Sequence, residues 1–203
     1  MKLLREACVE NFDQGYHAFQ EGADRIELCD NLAVGGTTPS YATIASAREF
    51  IFIPSAVIIR ARGGNFEYSD IEKNIMLQDA QVAHDLGIAG LVVGALKNSE
   101  LDIEFLQQCR DIAKNCEIVC HMAFDDTKNL SESLSTLIKL GYDRVLTKGG
   151  SGKASENIPV LKQLVQQAGN KITILVGGGV AKDNYLDLAR ETGAIEFHGR
   201  KII

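Results

Sequence analysis

Two short stretches, Glu6-Ala7-Cys8 and Glu27-Leu28-Cys29, each set a carboxylate and a thiol two residues apart. In an extended strand the side chains alternate, so each pair shares one face while Ile26 and Leu28 take the other. The apolar face needs only a helix to pack against. The polar face needs another explanation, because an unpaired buried charge is costly. Neighbouring strands lie about 4.8 Å apart, so Cys8 and Cys29, in the last turns of adjacent strands, can approach each other. Two thiolates without an evident third ligand suit a soft, low-coordinate ion such as Cu(I) better than Zn(II), which takes four ligands. A free cysteine also serves as a small buried hydrophobe, and both readings stay open at this level.

Other reactive residues fall near strand ends. Arg60 and Arg62 precede Gly63-Gly64, His121 follows Cys120, and Glu196 and His198 close the last apolar run. Glu27 or His121 could act as general acid or base, with Arg60 and Arg62 neutralising an anionic substrate. The same residues, Glu6, Glu27, Arg60 and Arg62, could equally form an ion-pair plug without chemistry. "TKGG", ending in Gly149 and Gly150, and "VGGG", ending in Gly177, Gly178 and Gly179, follow adjacent strands. Bare N–H groups in such loops suit a phosphate or another anion, although a tight turn alone also selects glycine. Of the remaining cysteines, Cys109 reads as helix core, Cys120 as facing helices, and Cys116 has no evident partner.

Eight apolar runs must position these residues: from Leu3, Arg25, Ala56, Gly90, Glu117, Arg144, Thr173 and Ile195. Several are rich in Val and Ile and almost continuously apolar, as parallel strands covered on both faces are. Helical patterns separate them. Ser69-Asp70-Ile71-Glu72 reads as a capping box, followed by Ile71, Ile75, Val82 and Leu86 at helical spacing and by Gly87 as a C-terminal cap. A glycine-turn-strand plan recurs at Gly22, Gly87, Gly141 and Gly193, before every second strand. The alternation predicts an α/β fold, a TIM (β/α)8-like barrel, as one domain over 1–203. The chain stops just past the eighth strand, so the eighth helix is expected to be missing. An apolar flank beside strands 8 and 1 would then need another cover, such as a second subunit.

The net charge of −6 argues against a general nucleic-acid or anionic-membrane binder. No apolar run reaches the ~20 residues that cross a bilayer. The N-terminus reaches charges too early for a signal peptide, and five cysteines form no disulfide framework. A reduced, cytoplasmic protein is expected.

Taken in order, "EACV" at Glu6, "GADRIELCDNLAVGGTTPS" at Gly22, "IIRARGGNFEYSD" at Ile58, "HMAFD" at His121, "GYDRVLTKGG" at Gly141, "VGGGV" at Val176 and "EFH" at Glu196 span nearly the whole chain. Together they resemble the CutC copper homeostasis family. The resemblance implies a cytoplasmic TIM barrel linked to copper tolerance, Cu(I) binding through the cysteines matching Cys8 and Cys29, and assembly into dimers or higher homo-oligomers. Met122 and Lys148 depart from the family's usual arginine and serine. Two functions are therefore expected to compete. One is a copper-handling protein using Cys8 and Cys29. The other is an enzyme of unassigned reaction on a small anionic or phosphorylated metabolite, using Glu27, Arg60 and His121 with Arg62 and the glycine loops.

Overall fold

The apolar runs close into a ring in the computed structural model, which describes residues 2–203. Its parallel strands are β1 Leu4–Val9, β2 Arg25–Leu28, β3 Ser55–Ile59, β4 Gly90–Val93, β5 Glu117–Cys120, β6 Arg144–Thr147, β7 Thr173–Val176 and β8 Glu196–Gly199. Each pairs with the next, and β8 pairs back onto β1. Helices α1 Phe12–Gln20, α2 Tyr41–Phe50, α3 Asp70–Asp85, α4 Ile103–Ile112, α5 Leu130–Leu140, α6 Ile158–Ala168 and α7 Tyr185–Thr192 lie in the connections. This is the expected TIM-like barrel. A small antiparallel pair, Leu96–Lys97 with Glu100–Leu101, sits above β4 in the chain.

Local signals set the helix limits. The Ser69 hydroxyl accepts from the Glu72 N–H while Glu72 accepts from the Ser69 N–H, completing the capping box of α3. Ser40 caps α2 by accepting from the Thr43 N–H. Gly141, at φ 73°, ends α5 in the left-handed region, where a side chain would be strained. One expectation is corrected. Ile71, Ile75 and Val82 keep helical spacing but face solvent, and α3 buries Met76, Ala80 and Ala83 instead. Small residues let α3 lie close to the sheet, and the branched residues are left outside.

The flank beside β8 and β1 is not bare. Phe197 on β8 is fully buried against Tyr185 of α7, and the tail turns back so that Ile202 joins the main core. A bridge between Ala181 and Lys201 fixes that turn.

The pairing register orders the barrel interior into layers taken from alternate strands. From the floor upward these hold Arg25, Gly90, Arg144 and Glu196; then Glu6, Ala56, Val119 and Leu175; then Glu27, Val92, Leu146 and His198; then Cys8, Ile58, His121 and Gly177. The floor is ionic and the middle is mostly aliphatic. The top mixes a thiol, an imidazole and a bare backbone.

Candidate functional site

Arg25 explains the floor. Its side chain is 3% exposed and bonds both Glu6 and Glu196 Oε2, the latter at 2.6 Å. Arg144 takes the same Glu196 oxygen at 2.8 Å and clamps Glu117 with two further bonds. Above, His198 Nδ1 lies 2.8 Å from Glu6 Oε1, and Nε2 lies 3.5 Å from Glu27 Oε2. A continuous chain of charge thus runs Glu117, Arg144, Glu196, Arg25, Glu6, His198, Glu27. The sequence reading did not weigh Arg25 and gave His198 no role. The signal was available: Arg25 shares its inward face with Glu27 and Cys29 by simple alternation.

Environment separates the two carboxylates. Burial would raise Glu6, but Arg25 and His198 outweigh it and hold Glu6 at about 2. Glu27 has no arginine; burial pushes it up to about 8 against the pull of His198. His198 resists its own burial because Cys8, Glu6 and Glu27 surround it, and it stands well above the usual imidazole range. The Cys8 thiol is drawn down, first by a hydrogen bond from Cys29 and then, against burial, by His198. Cys29 is driven up as the donor of that bond and by burial. Cys8 packs against the buried cluster of Cys29, Leu32 and Ile58, so the two thiols sit together at the mouth. Cys8, Glu27 and His198 each bring one donor atom within 4.8 Å of the others.

These groups line a cavity of about 490 Å³ at the C-terminal mouth of the barrel. The side chains that line it are packed closely from behind, where glycine is required. A Cβ at Gly94 would lie 2.6 Å from the His121 ring, and one at Gly177 would lie 2.6 Å from Leu146 and 3.4 Å from His198. The loops after β7 and β8 close one side through Gly178, Gly179, Gly199 and Arg200.

Of the anticipated residues, the cavity brings together Cys8, Cys29, Glu27, Arg60, His121, Gly178 and Gly179. It does not bring in Arg62, Gly149, Gly150 or Gly177. β3 ends at Ile59, so Arg60 and Arg62 do not continue a strand face. Arg62 turns away to Glu72 at 2.6 Å and to the carbonyls of Gly63, Asn65 and Glu67. The "TKGG" loop already holds an anion of the chain itself. The Asp125 carboxylate accepts from Thr147 Oγ1 at 2.5 Å, Lys148 N at 3.0 Å and Gly150 N at 2.8 Å. Gly149 N donates to Thr147 Oγ1, and Gly177 N to the Thr147 carbonyl. The ion-pair plug exists, but Glu6 forms it with Arg25, and neither Arg60 nor Arg62 takes part.

His121 Nδ1 accepts from the Ala123 N–H at 3.1 Å, which leaves the ring proton on Nε2. Burial, reinforced by Arg60, pushes this imidazole down to about 3, so it is neutral. Its Nε2–H has no partner, and neither does Arg60 Nε–H.

Fold and site define a (β/α)8 barrel whose mouth holds a thiol–carboxylate–imidazole cluster over an ionic floor. The CutC family profile matches residues 3–203, and the chain belongs to the CutC family. A CutC family protein of Pasteurella multocida is 43% identical over 194 residues, 95% of this chain and 80% of its own length. A human copper homeostasis protein cutC homolog is 39% identical over 197 residues, 97% of this chain and 72% of its own. The crystal structure of a CutC from Streptococcus agalactiae superimposes with a TM-score of 0.94 at 41% identity, covering 99% of this chain and all of that one. No helix among the described residues is long and apolar enough to cross a membrane.

Proposed function

We propose that the protein handles copper by holding Cu(I) on Cys8 and Cys29, with His198 as a third donor. The convergence of Cys8, Glu27 and His198 within 4.8 Å, with Cys8 packed against the cluster that holds Cys29, carries this reading. Thiolate and imidazole are the donors a soft monovalent ion prefers. Glu6 on Nδ1 orients the ring so that Nε2 faces Glu27, and a metal ion would displace the proton Nε2 carries. Glu27 is the hard ligand of the group and fits Cu(I) least. The name of the human relative points the same way. Cu(I) titration against a competing chelator under reducing conditions tests the proposal. Cys8→Ser and Cys29→Ser should each weaken binding about tenfold or more. Undiminished affinity in both variants refutes it.

A second reading, an enzyme on a small anionic or phosphorylated metabolite, is favoured by the size of the cavity and its cationic side. Glu27 and His198 would be its acid–base pair, and Arg60 its charge partner. His121, neutral and with its proton on Nε2, would donate a hydrogen bond rather than take a proton.

Self-association and a cytoplasmic location complete the proposal. Phe12, Tyr16, Phe19, Phe50 and Phe52 form an edge-and-stack ladder across the outside of α1 and α2, with Phe52 79% exposed. An exposed aromatic surface of this kind favours burial against another subunit. Phe52→Glu should lower the sedimenting mass if it does so. The five free cysteines suit a reducing compartment.

A further inference from the structure

Arg60 is a buried cation without a carboxylate. Its Nη1 donates to the carbonyls of Val34 at 3.2 Å and Gly36 at 3.1 Å, and Nη2 to Gly64 at 2.7 Å. These carbonyls supply dipoles but no compensating charge. Its Nε–H is unpartnered, and so is the His121 Nε2–H. Both side chains are only 4% exposed, and both line the cavity. Phe66 connects them. Its ring lies 4.7 Å from the Arg60 guanidinium and 4.9 Å from the His121 ring. A buried donor left unsatisfied is destabilising, and a buried charge more so. The Tyr68 hydroxyl, itself without a partner, lies beside Arg60; among the described residues nothing serves the His121 Nε2–H or balances the Arg60 charge, and these two side chains share one cavity wall.

We infer that the Arg60–His121 wall binds the carboxylate of a small organic acid, whose body fills the cavity towards Cys8, Glu27 and His198. This rests on the second reading, that the cavity takes an anionic ligand, and narrows it to one class. Charge and donor count select the class. One guanidinium with one neutral N–H matches the two oxygens of a monoanion. A phosphate dianion would bring a second charge and leave further oxygens against apolar neighbours. Those neighbours are Phe66, Ile58, Leu32, Met122 and Leu146, which suit a hydrocarbon body. Arg200 and Lys201 at the rim add attraction for an approaching anion.

The test is calorimetric titration with lactate, succinate and benzoate, with lactamide and benzamide as uncharged controls, and with inorganic phosphate. Two variants accompany the wild type. His121→Asn keeps an oxygen to cap the Ala123 N–H and removes only the Nε2–H. Arg60→Lys keeps the charge and removes the fork. At least one carboxylate should bind the wild type while its amide does not. Each variant should weaken that binding about tenfold, the loss expected for a hydrogen bond to a charged group. If His121→Asn binds the acid as well as the wild type does, or if the amide binds equally, the wall is not the site. Binding of phosphate without any carboxylate overturns the class and leaves the anionic-ligand reading standing. No binding of any probe at about 10 mM, where affinity would be weaker than about −3 kcal/mol, overturns both. The copper titration is a separate measurement and is touched by none of these results.

Discussion

Replacing Glu27 with glutamine should make the protein more stable, and increasingly so as pH rises. Glu27 is buried without an arginine, and burial pushes its carboxyl from 4.5 to about 8. A raised folded-state pKa gives stability that is complete below the unfolded value and is lost as pH climbs through the folded one. At about 1.4 kcal/mol per pH unit, the interval corresponds to up to about 5 kcal/mol, of which about 3 is lost by pH 7. Glutamine has the shape of the protonated acid and no proton to lose, so Glu27→Gln removes the whole pH-dependent part. Urea unfolding of both proteins at pH 4.5, 6, 7 and 8, at constant ionic strength, follows this group together with its influence on His198 and Cys29. The two should be nearly equal at pH 4.5, and the variant should lead by up to about 3 kcal/mol at pH 7. A gap that does not grow with pH, or a variant less stable than the wild type at pH 8, would refute the reasoning. A residue that weakens the fold at working pH is the mark of a functional group.

Glu6→Gln should behave oppositely. Its carboxylate is held at about 2 by Arg25 and His198, so the variant should lose about 3 kcal/mol at pH 7, and the deficit should fade as pH falls from 4.5 towards 2 in the same urea series. Arg25→Met should cost about 3–5 kcal/mol, because it takes the arginine from the buried Glu6 carboxylate, while Glu196 keeps Arg144; the double variant with Glu6→Gln should lose less than the sum. Gly94→Ala should cost about 1–3 kcal/mol by driving a methyl into the His121 ring, and should shift the His121 ring resonances in NMR spectra. Cu(I) affinity should rise with pH, since Cys29 is held protonated until the ion displaces its proton. Calorimetry in buffers of different ionisation heat should show about two protons released per ion at pH 7, one from Cys29 and one from His198.

Much of the architecture can be read from alternation and caps. The apolar runs, Ser69 with Glu72, Ser40 and Gly141 each act within a few residues, and each does in the structure what its local chemistry dictates. Period alone cannot tell which face of a helix is inside. Ile71, Ile75 and Val82 have the right spacing and lie outside, because close approach to the sheet selects Ala80 and Ala83. At the site, the inward face of β1 and β2 was legible and the end of β3 was not. Had β3 continued past Ile59, Arg62 would share a face with Arg60; the chain bends, and Arg62 is spent on Glu72 and three carbonyls. Gly149 and Gly150 looked like an anion loop and are one, but the anion is Asp125, over twenty residues away in sequence. Long-range pairing of this kind leaves no local trace.

The ionic floor and the reactive mouth were posed as alternatives, and the register makes them one device. A histidine offers a metal or a proton only in the tautomer its other nitrogen permits. His198 Nδ1 is fixed by Glu6, and Glu6 is held charged by Arg25. Arg25 is aligned by Glu196, which Arg144 and Glu117 hold in turn. Removing any of these lower charges should free the imidazole above it to rotate or to change its proton. Glu27, the last group in the chain of charge, has no cation below it, and so its proton answers to whatever enters the mouth. The floor therefore acts on function through orientation, and the one carboxylate it leaves without an arginine is the one that faces the cavity.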